Sequence, residues 1–130
     1  MKKPPIFRLI VAGGRNFNDY SIVEYTLDCL IYAEYDDKRV EIVSGMAKGA
    51  DKLGVRFAES NDIPLHKFPA DWKRFPRMAG FIRNEQMGNF ADALVAFWDG
   101  ESNGTRHMIE YMKKLKKIVH IVSYIKKEKK

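Results

Sequence analysis

Short apolar runs alternate along this chain with stretches whose apolar residues recur at helical spacing. Residues 8–12 (RLIVA) form a β-rich run that stops abruptly at Gly13-Gly14. Beyond it, Asp19 or Ser21 is placed to cap a helix carrying Ile22, Val23, Thr26, Leu27, Leu30 and Ile31 at helical spacing. Residues 40–43 (VEIV) predict a second strand that ends at Ser44-Gly45. A helix over 50–60 follows, with Leu53, Val55, Phe57 and Ala58 as its apolar positions. Asn61-Asp62 closes that helix, and Pro64 bars its continuation. Residues 65–68 predict a third strand and 71–76 an aromatic, basic loop. A helix over 81–90 turns Ile82, Met87 and Phe90 inward. The run 93–98 (ALVAFW) is a fourth strand, and a loop over 99–104 leads into a helix over 105–117 with Met108, Ile109, Met112 and Leu115 on one side. The last strand covers 118–124 (IVHIVSY).

Strands that are continuously apolar, rather than alternating, are buried on both faces. Helices between them imply parallel crossovers. The pattern therefore predicts a single α/β domain over residues 6–124, Rossmann-like and three-layered, with a five-stranded parallel sheet of order 3-2-1-4-5. Residues 125–130 are left as a basic C-terminal tail.

Composition changes this picture little. With 130 residues, 45% hydrophobic and 31% charged, the chain has the make-up of one ordinary globular domain that folds without a metal or disulfide staple. Cys29 is the single cysteine, so no internal disulfide forms, and its apolar neighbours suggest a buried structural thiol. No apolar run approaches the roughly 20 residues of a membrane span, and the start is too quickly interrupted by glycines for a signal peptide. The chain reads as cytoplasmic.

Charge is more informative once it is located. The net charge is +6, but residues 113–130 hold eight lysines and one glutamate, a surplus of seven. The other 112 residues carry a net charge of −1. The basicity belongs to a helix end and the tail, where lysines complement a helix dipole, and not to a charged face spread over the domain.

In such sheets, ligands sit outside the carboxyl ends of the strands, near the point where the strand order reverses. Gly13, Gly14 and Arg15 follow the first strand. Ser44, Gly45, Lys48, Gly49 and Asp51 follow the second, and Asp99, Gly100, Ser102, Gly104 and Thr105 the fourth. Glycines let main-chain N–H groups approach a ligand, and the next helix offers unpaired N–H groups and a positive dipole end. Arg15 is suited to a bidentate pair with phosphate, while Ser44 and Thr105 add hydroxyls. Arg83 and Asn84 open the third helix and are placed for the same edge. Trp72 either stacks on a base or covers a core edge, and Asp99 either binds a ribose hydroxyl or caps the next turn. Neither GxxxxGK[ST] nor GxGxxG occurs, so these glycine loops are not a Walker A or standard NAD fingerprint, and no cofactor beyond the ligand itself is indicated. His66 and His120 sit in strands as structural or exposed residues. No histidine pair or Cys/His cluster has metal-ligand spacing, so no metal site is expected.

Taken together and in this order, Gly13-Gly14-Arg15-x-Phe17, SGMAKGAD (44–51), PADW (69–72), Arg83-Asn84 and AFWDGESNGT (96–105) resemble the YspA-type, cpYpsA-related branch of the SLOG superfamily. The resemblance covers about residues 7–123. It implies a Rossmann-like domain that binds nucleotides or nucleotide-derived signals and that often self-associates, making a homo-oligomer an expectation. Its distant relatives include the LOG phosphoribohydrolases of cytokinin activation and the DNA-processing protein DprA. SGMAKGAD is similar to the DprA-like loop, and GESNGT to the PGGxGT loop of the phosphoribohydrolases. The latter loop carries an acid shortly after its threonine, to support a departing ribosyl cation. Here Arg106 and His107 follow Thr105, and the next acid is Glu110.

Three functions follow. A module that senses or sequesters a phosphate-bearing, nucleotide-like molecule needs only the loops. A hydrolase of a nucleotide N-glycosidic bond or phosphate ester would have to draw its acids from Asp51, Asp99, Glu101 and Glu110, one of them with a raised pKa. A nucleic-acid binder would use Trp72, Lys73, Arg74, Arg77 and the lysine tail, with strong salt dependence.

Overall fold

The continuous apolar runs become strands whose alternate residues feed two separate cores. The computed structural model describes residues 3–125. It contains β1 (Ile6–Gly13), α1 (Tyr20–Ala33), β2 (Arg39–Ser44), α2 (Ala50–Ser60), β3 (Leu65–Lys67), α3 (Ala79–Phe90), β4 (Ala93–Trp98), α4 (Asn103–Lys114) and β5 (Ile118–Ser123). The strands form one parallel sheet of order β3-β2-β1-β4-β5, as the alternation of runs implies. In register, Ile10 lies opposite Val43 on one side and Leu94 on the other.

Leu9, Val11, Ile42, Val95 and Phe97 point to one face, where Val23 and Leu27 of α1 and Phe57 and Ala58 of α2 cover them. Ile10, Val43, Leu94 and Ala96 point to the other, against Met87 of α3 and Met108, Ile109 and Met112 of α4. This period of two is the ordinary alternation of a strand, and both sets are apolar because both faces are covered. Each fully buried side chain of this size contributes about 1.5–3 kcal/mol. The β4 strand holds the layers together: Ala93 to Phe97 are all fully buried.

Several boundaries differ from the sequence reading. The α4 helix starts at Asn103 and not at residue 105, because Asp99 Oδ1 accepts from the N–H groups of Glu101 and Ser102 at 2.9 Å and turns the chain early. It ends at Lys114, and Lys116 takes a left-handed φ of 59° just beyond. Lys117 Nζ then donates to the carbonyls of Gly88 and Ala91, both at 2.8 Å, so one lysine of this basic stretch closes the end of α3. The α3 helix starts two residues before the predicted 81.

Cys29 corrects the expectation of a buried thiol: it is exposed. Val23 and Leu27 face the sheet, whereas Tyr25, Cys29 and Tyr32 share the outer face of α1. Local apolarity suggested burial, but helical phase decides it. Among the described residues, no helix is long and apolar enough to cross a membrane. Residues 126–130 of the expected tail lie outside the described residues.

Candidate functional site

At the carboxyl edge of the sheet, β1 and β4 are neighbours whose following helices leave to opposite faces. The connections diverge there and leave an open cleft of about 1800 Å³. Gly13 and Gly14 form its floor. Gly14 N–H donates to Phe97 O at 3.0 Å, and Gly14 O accepts from Ala50 N–H at 3.2 Å, so this turn ties β1 to β4 and to the start of α2. Gly49 is needed for that closure. Its φ is 82°, and a Cβ there would stand 2.2 Å from Gly14 O. Arg15 projects from the same turn and is exposed.

Asp51 sits in the first turn of α2, only 5% exposed yet lining the cleft. Ala47 N–H donates to its Oδ2 at 3.2 Å. Burial raises its pKa to about 6, against the opposing pull of Arg83, the N–H groups of Ala47 and Gly13, and Arg15. Burial in turn lowers the Arg83 pKa, with Arg15 adding to the effect and Asp51 opposing it. Arg83 Nη1 donates to Gly45 O at 2.5 Å and its Nε to Asn84 Oδ1 at 3.0 Å. A Cβ on Gly45 would lie 2.5 Å from Arg83 Nη1 and 2.8 Å from Asp51 Oδ2, so residue 45 is small to admit this pair. Two guanidinium groups thus lie near one buried carboxylate without a direct ion pair among the described residues, leaving a positive surplus.

Asn84 connects the helices on the other face. Its Nδ2 donates to Gly104 O at 3.1 Å and to His107 Nδ1 at 3.2 Å. His107 Nε2 stands 3.5 Å from Glu85 Oε2, and the ring packs at 4.5 Å on Phe81. At the β4 end, Ser102 and Thr105 hydroxyls are 3.2 Å apart, and α4 begins without a side-chain cap. A Cβ on Gly104 would meet nothing within 4 Å, so the space beside this helix start is open.

Of the residues singled out in the sequence, Gly13, Gly14, Arg15, Asp51, Arg83, Asn84, Asp99, Ser102, Gly104 and Thr105 line the cleft. Ser44, Gly45, Lys48, Gly49 and Gly100 do not. Ser44 is fully buried and acts from below: its Oγ donates to Asp51 O and accepts from Met46 N–H, both at 3.1 Å. Lys48 and Gly100 are exposed beside the cleft loops. Trp72 and Arg77, singled out for nucleic acid, also line the cleft, and the structure adds Asn16, Ala47, Phe81, Asn103 and Tyr124. Tyr124 follows β5 at the same edge, so the strand-end rule would have found it. Its hydroxyl donates to Asn16 Oδ1 at 2.9 Å, and its pKa is raised by burial and by Asp99. Glu110 is not part of the lining. Among the described residues, no group of three or more His, Cys, Asp or Glu is placed to hold a metal ion.

A family model described as the YspA, cpYpsA-related SLOG family matches residues 7–75. A search of curated proteins finds no match. Among solved structures, DNA processing protein A (DprA) from Streptococcus pneumoniae is similar, with a TM-score of 0.69 at 17% sequence identity. The similarity covers 90% of this chain and 50% of that protein, so the chain spans half of its length. At this identity the likeness establishes the shared fold.

Proposed function

We propose a ligand-binding function for this chain, which belongs to the YspA, cpYpsA-related SLOG family. The cleft at the carboxyl edge holds a phosphate-bearing nucleotide or nucleotide-derived molecule, and the protein senses or sequesters it. The observation that carries this reading is the positive surplus around buried Asp51. Arg15 and Arg83 line the same cleft as Gly13-Gly14 and the uncapped start of α4. Guanidinium groups and a helix N-terminus converge in the way that phosphate recognition requires. The open space beside Gly104 leaves room for the anion at that helix start.

Hydrolysis finds less support. Asn84 and Glu85 engage His107, which follows Thr105 closely, and Glu110 stands outside the cleft. DNA processing, named in the similar solved structure, offers a second reading. Its specific support is Arg77 in the cleft wall, with Lys73 and Arg74 exposed next to it.

A thermal-shift panel separates these readings. It would contain nucleoside monophosphates, ADP-ribose, NAD, ribose 5-phosphate, single-stranded DNA and tRNA. A ligand at 100 times its dissociation constant adds about 2.7 kcal/mol, or several degrees in a domain of this size. The expected result is a shift with one ribosyl phosphate that Gly104→Leu, which fills the open space, removes. A shift with nucleic acid alone supports the second reading instead. Turnover of the stabilising ligand would make the protein an enzyme.

A further inference from the structure

Four aromatic side chains line the cleft, and three of them are committed elsewhere. Phe17 is buried and stacks on Phe97 at 5.1 Å. Phe81 packs on His107 at 4.5 Å. Tyr124 leans on Phe17 at 4.7 Å and spends its hydroxyl on Asn16. The fourth, Trp72, makes no hydrogen bond or ring contact among the described residues, and it is 48% exposed. Unlike the exposed Tyr25 and Tyr32 of α1, this half-open indole lies in the cleft wall, where its free face is available to a ligand.

Trp72 is nonetheless held in place. Asp71 turns the loop: its Oδ1 accepts from Arg74 N–H at 3.2 Å, and its carbonyl accepts from Phe75 N–H at 2.9 Å. The far edge of the indole rests against the first turn of α3, where Cη2 would stand 3.5 Å from a Cβ on Gly80. Arg83 Nη2 would stand 3.9 Å from that same point. The free indole and the guanidinium thus flank one small residue at the cleft wall.

We propose that Trp72 is the nucleobase platform of this site: the base stacks on the indole while the 5′-phosphate engages Arg83 and the glycine loops. This rests on the binding function proposed above and adds the ligand's class, a nucleoside 5′-phosphate in preference to a bare sugar phosphate. Base–aromatic stacking tolerates every base, so the platform supplies affinity, and discrimination among bases falls to other groups.

The test is calorimetric titration of AMP, GMP, CMP, UMP and ribose 5-phosphate into wild type, Trp72→Ala and Trp72→Phe. In wild type, at least one nucleotide should bind about tenfold or more tightly than ribose 5-phosphate. Trp72→Ala should remove that advantage while leaving ribose 5-phosphate binding unchanged, and Trp72→Phe should keep most of it. Equal binding of nucleotides and ribose 5-phosphate by wild type overturns the platform but leaves the phosphate site standing. So does an Ala variant that weakens both ligands alike, which marks Trp72 as structural. Failure of all five compounds to bind removes the phosphate site and the platform together.

Discussion

Two clusters in this domain use the same ingredients, one carboxylate between two basic side chains, and put them to opposite ends. Toward the amino ends of the strands, Glu41 of β2 lies between Arg8 of β1 and His66 of β3. Its Oε1 is 2.7 Å from His66 Nε2 and 3.8 Å from Arg8 Nε. Phe90 closes the group, with the Arg8 guanidinium over its ring at 4.3 Å and the His66 ring at 4.9 Å. At the carboxyl edge, Asp51 is buried near Arg83 and Arg15, and a cleft opens onto the group. In the first cluster Glu41 bonds His66 and the Phe90 ring packs over the group, while the buried Arg8 Nε, 3.8 Å from Glu41, makes no hydrogen bond among the described residues. The second holds a buried carboxylate whose charged form burial penalises and a cationic surplus facing solvent. The contrast is what separates a structural ion cluster from one arranged for an incoming anion, and perturbed carboxyl groups in clefts mark functional sites for this reason.

The largest test of that contrast is pH. The Asp51 pKa rises from 3.8 in the unfolded chain to about 6 in the folded one. Between those values the folded state binds more protons, so this group's stabilisation is full below about pH 4 and is lost as pH climbs through 6. Asp51→Asn removes the titration. Wild type should therefore gain up to about 3 kcal/mol on acidification from pH 7 to 4 that the variant does not show. Urea denaturation of both proteins across this range checks it, and parallel stability profiles would remove the claim that burial penalises the Asp51 charge.

Next in size, Glu41→Gln should cost about 2 kcal/mol of stability, because Arg8 and His66 lose the carboxylate they share. It should leave ligand affinity unchanged. A weakened site would show that the amino-edge cluster also serves the cleft, and the contrast would break. Arg15→Ala should do the reverse. Arg15 is exposed, so stability should move by less than about 0.5 kcal/mol. Affinity for a phosphorylated ligand should fall by about 1.5 kcal/mol, or roughly tenfold, with the loss shrinking at high salt. Calorimetry at two ionic strengths reads both quantities.

The central strands β1, β2 and β4 were legible in the sequence because they are buried on both faces, which makes runs such as 93–98 continuously apolar, whereas the edge strand β5 has the same apolar run but leaves Ile118 and Ile121 exposed. The cleft's position followed from the strand order, and three of its loops announced themselves by glycines at strand ends. The charge arrangement did not. Asp51 is buried only because Gly45 lacks a side chain, Gly13 presents its N–H and Arg83 arrives from a helix more than thirty residues away. No local pattern encodes such a meeting. Trp72 was legible as an alternative between base and core, and its half-exposed place in the cleft wall was not legible at all. The start of α4 was misplaced by two residues because Asp99 serves as a turn-former whose acceptor captures two N–H groups.

The smallest effect is expected at a position that belongs to neither cluster, and it calibrates the other variants. Cys29 was misread from its neighbours: Leu27 and Leu30 are apolar and pack inward, but the thiol lies on the outer face of α1 with Tyr25 and Tyr32. It is two turns along the helix from Ile22, the α1 residue that reaches the cleft. Cys29→Ser exchanges one small exposed side chain for another, so stability should change by less than about 0.5 kcal/mol and ligand affinity not at all. In the folded wild type, the thiol should react with Ellman's reagent at a rate close to that of the urea-unfolded chain at the same pH. A strongly protected thiol would mean that the outer face of α1 is covered in solution, as a second copy of the chain would cover it. Both edges of the sheet would then have to be compared in that assembly, because an ion cluster exposed in one chain can be closed by its neighbour.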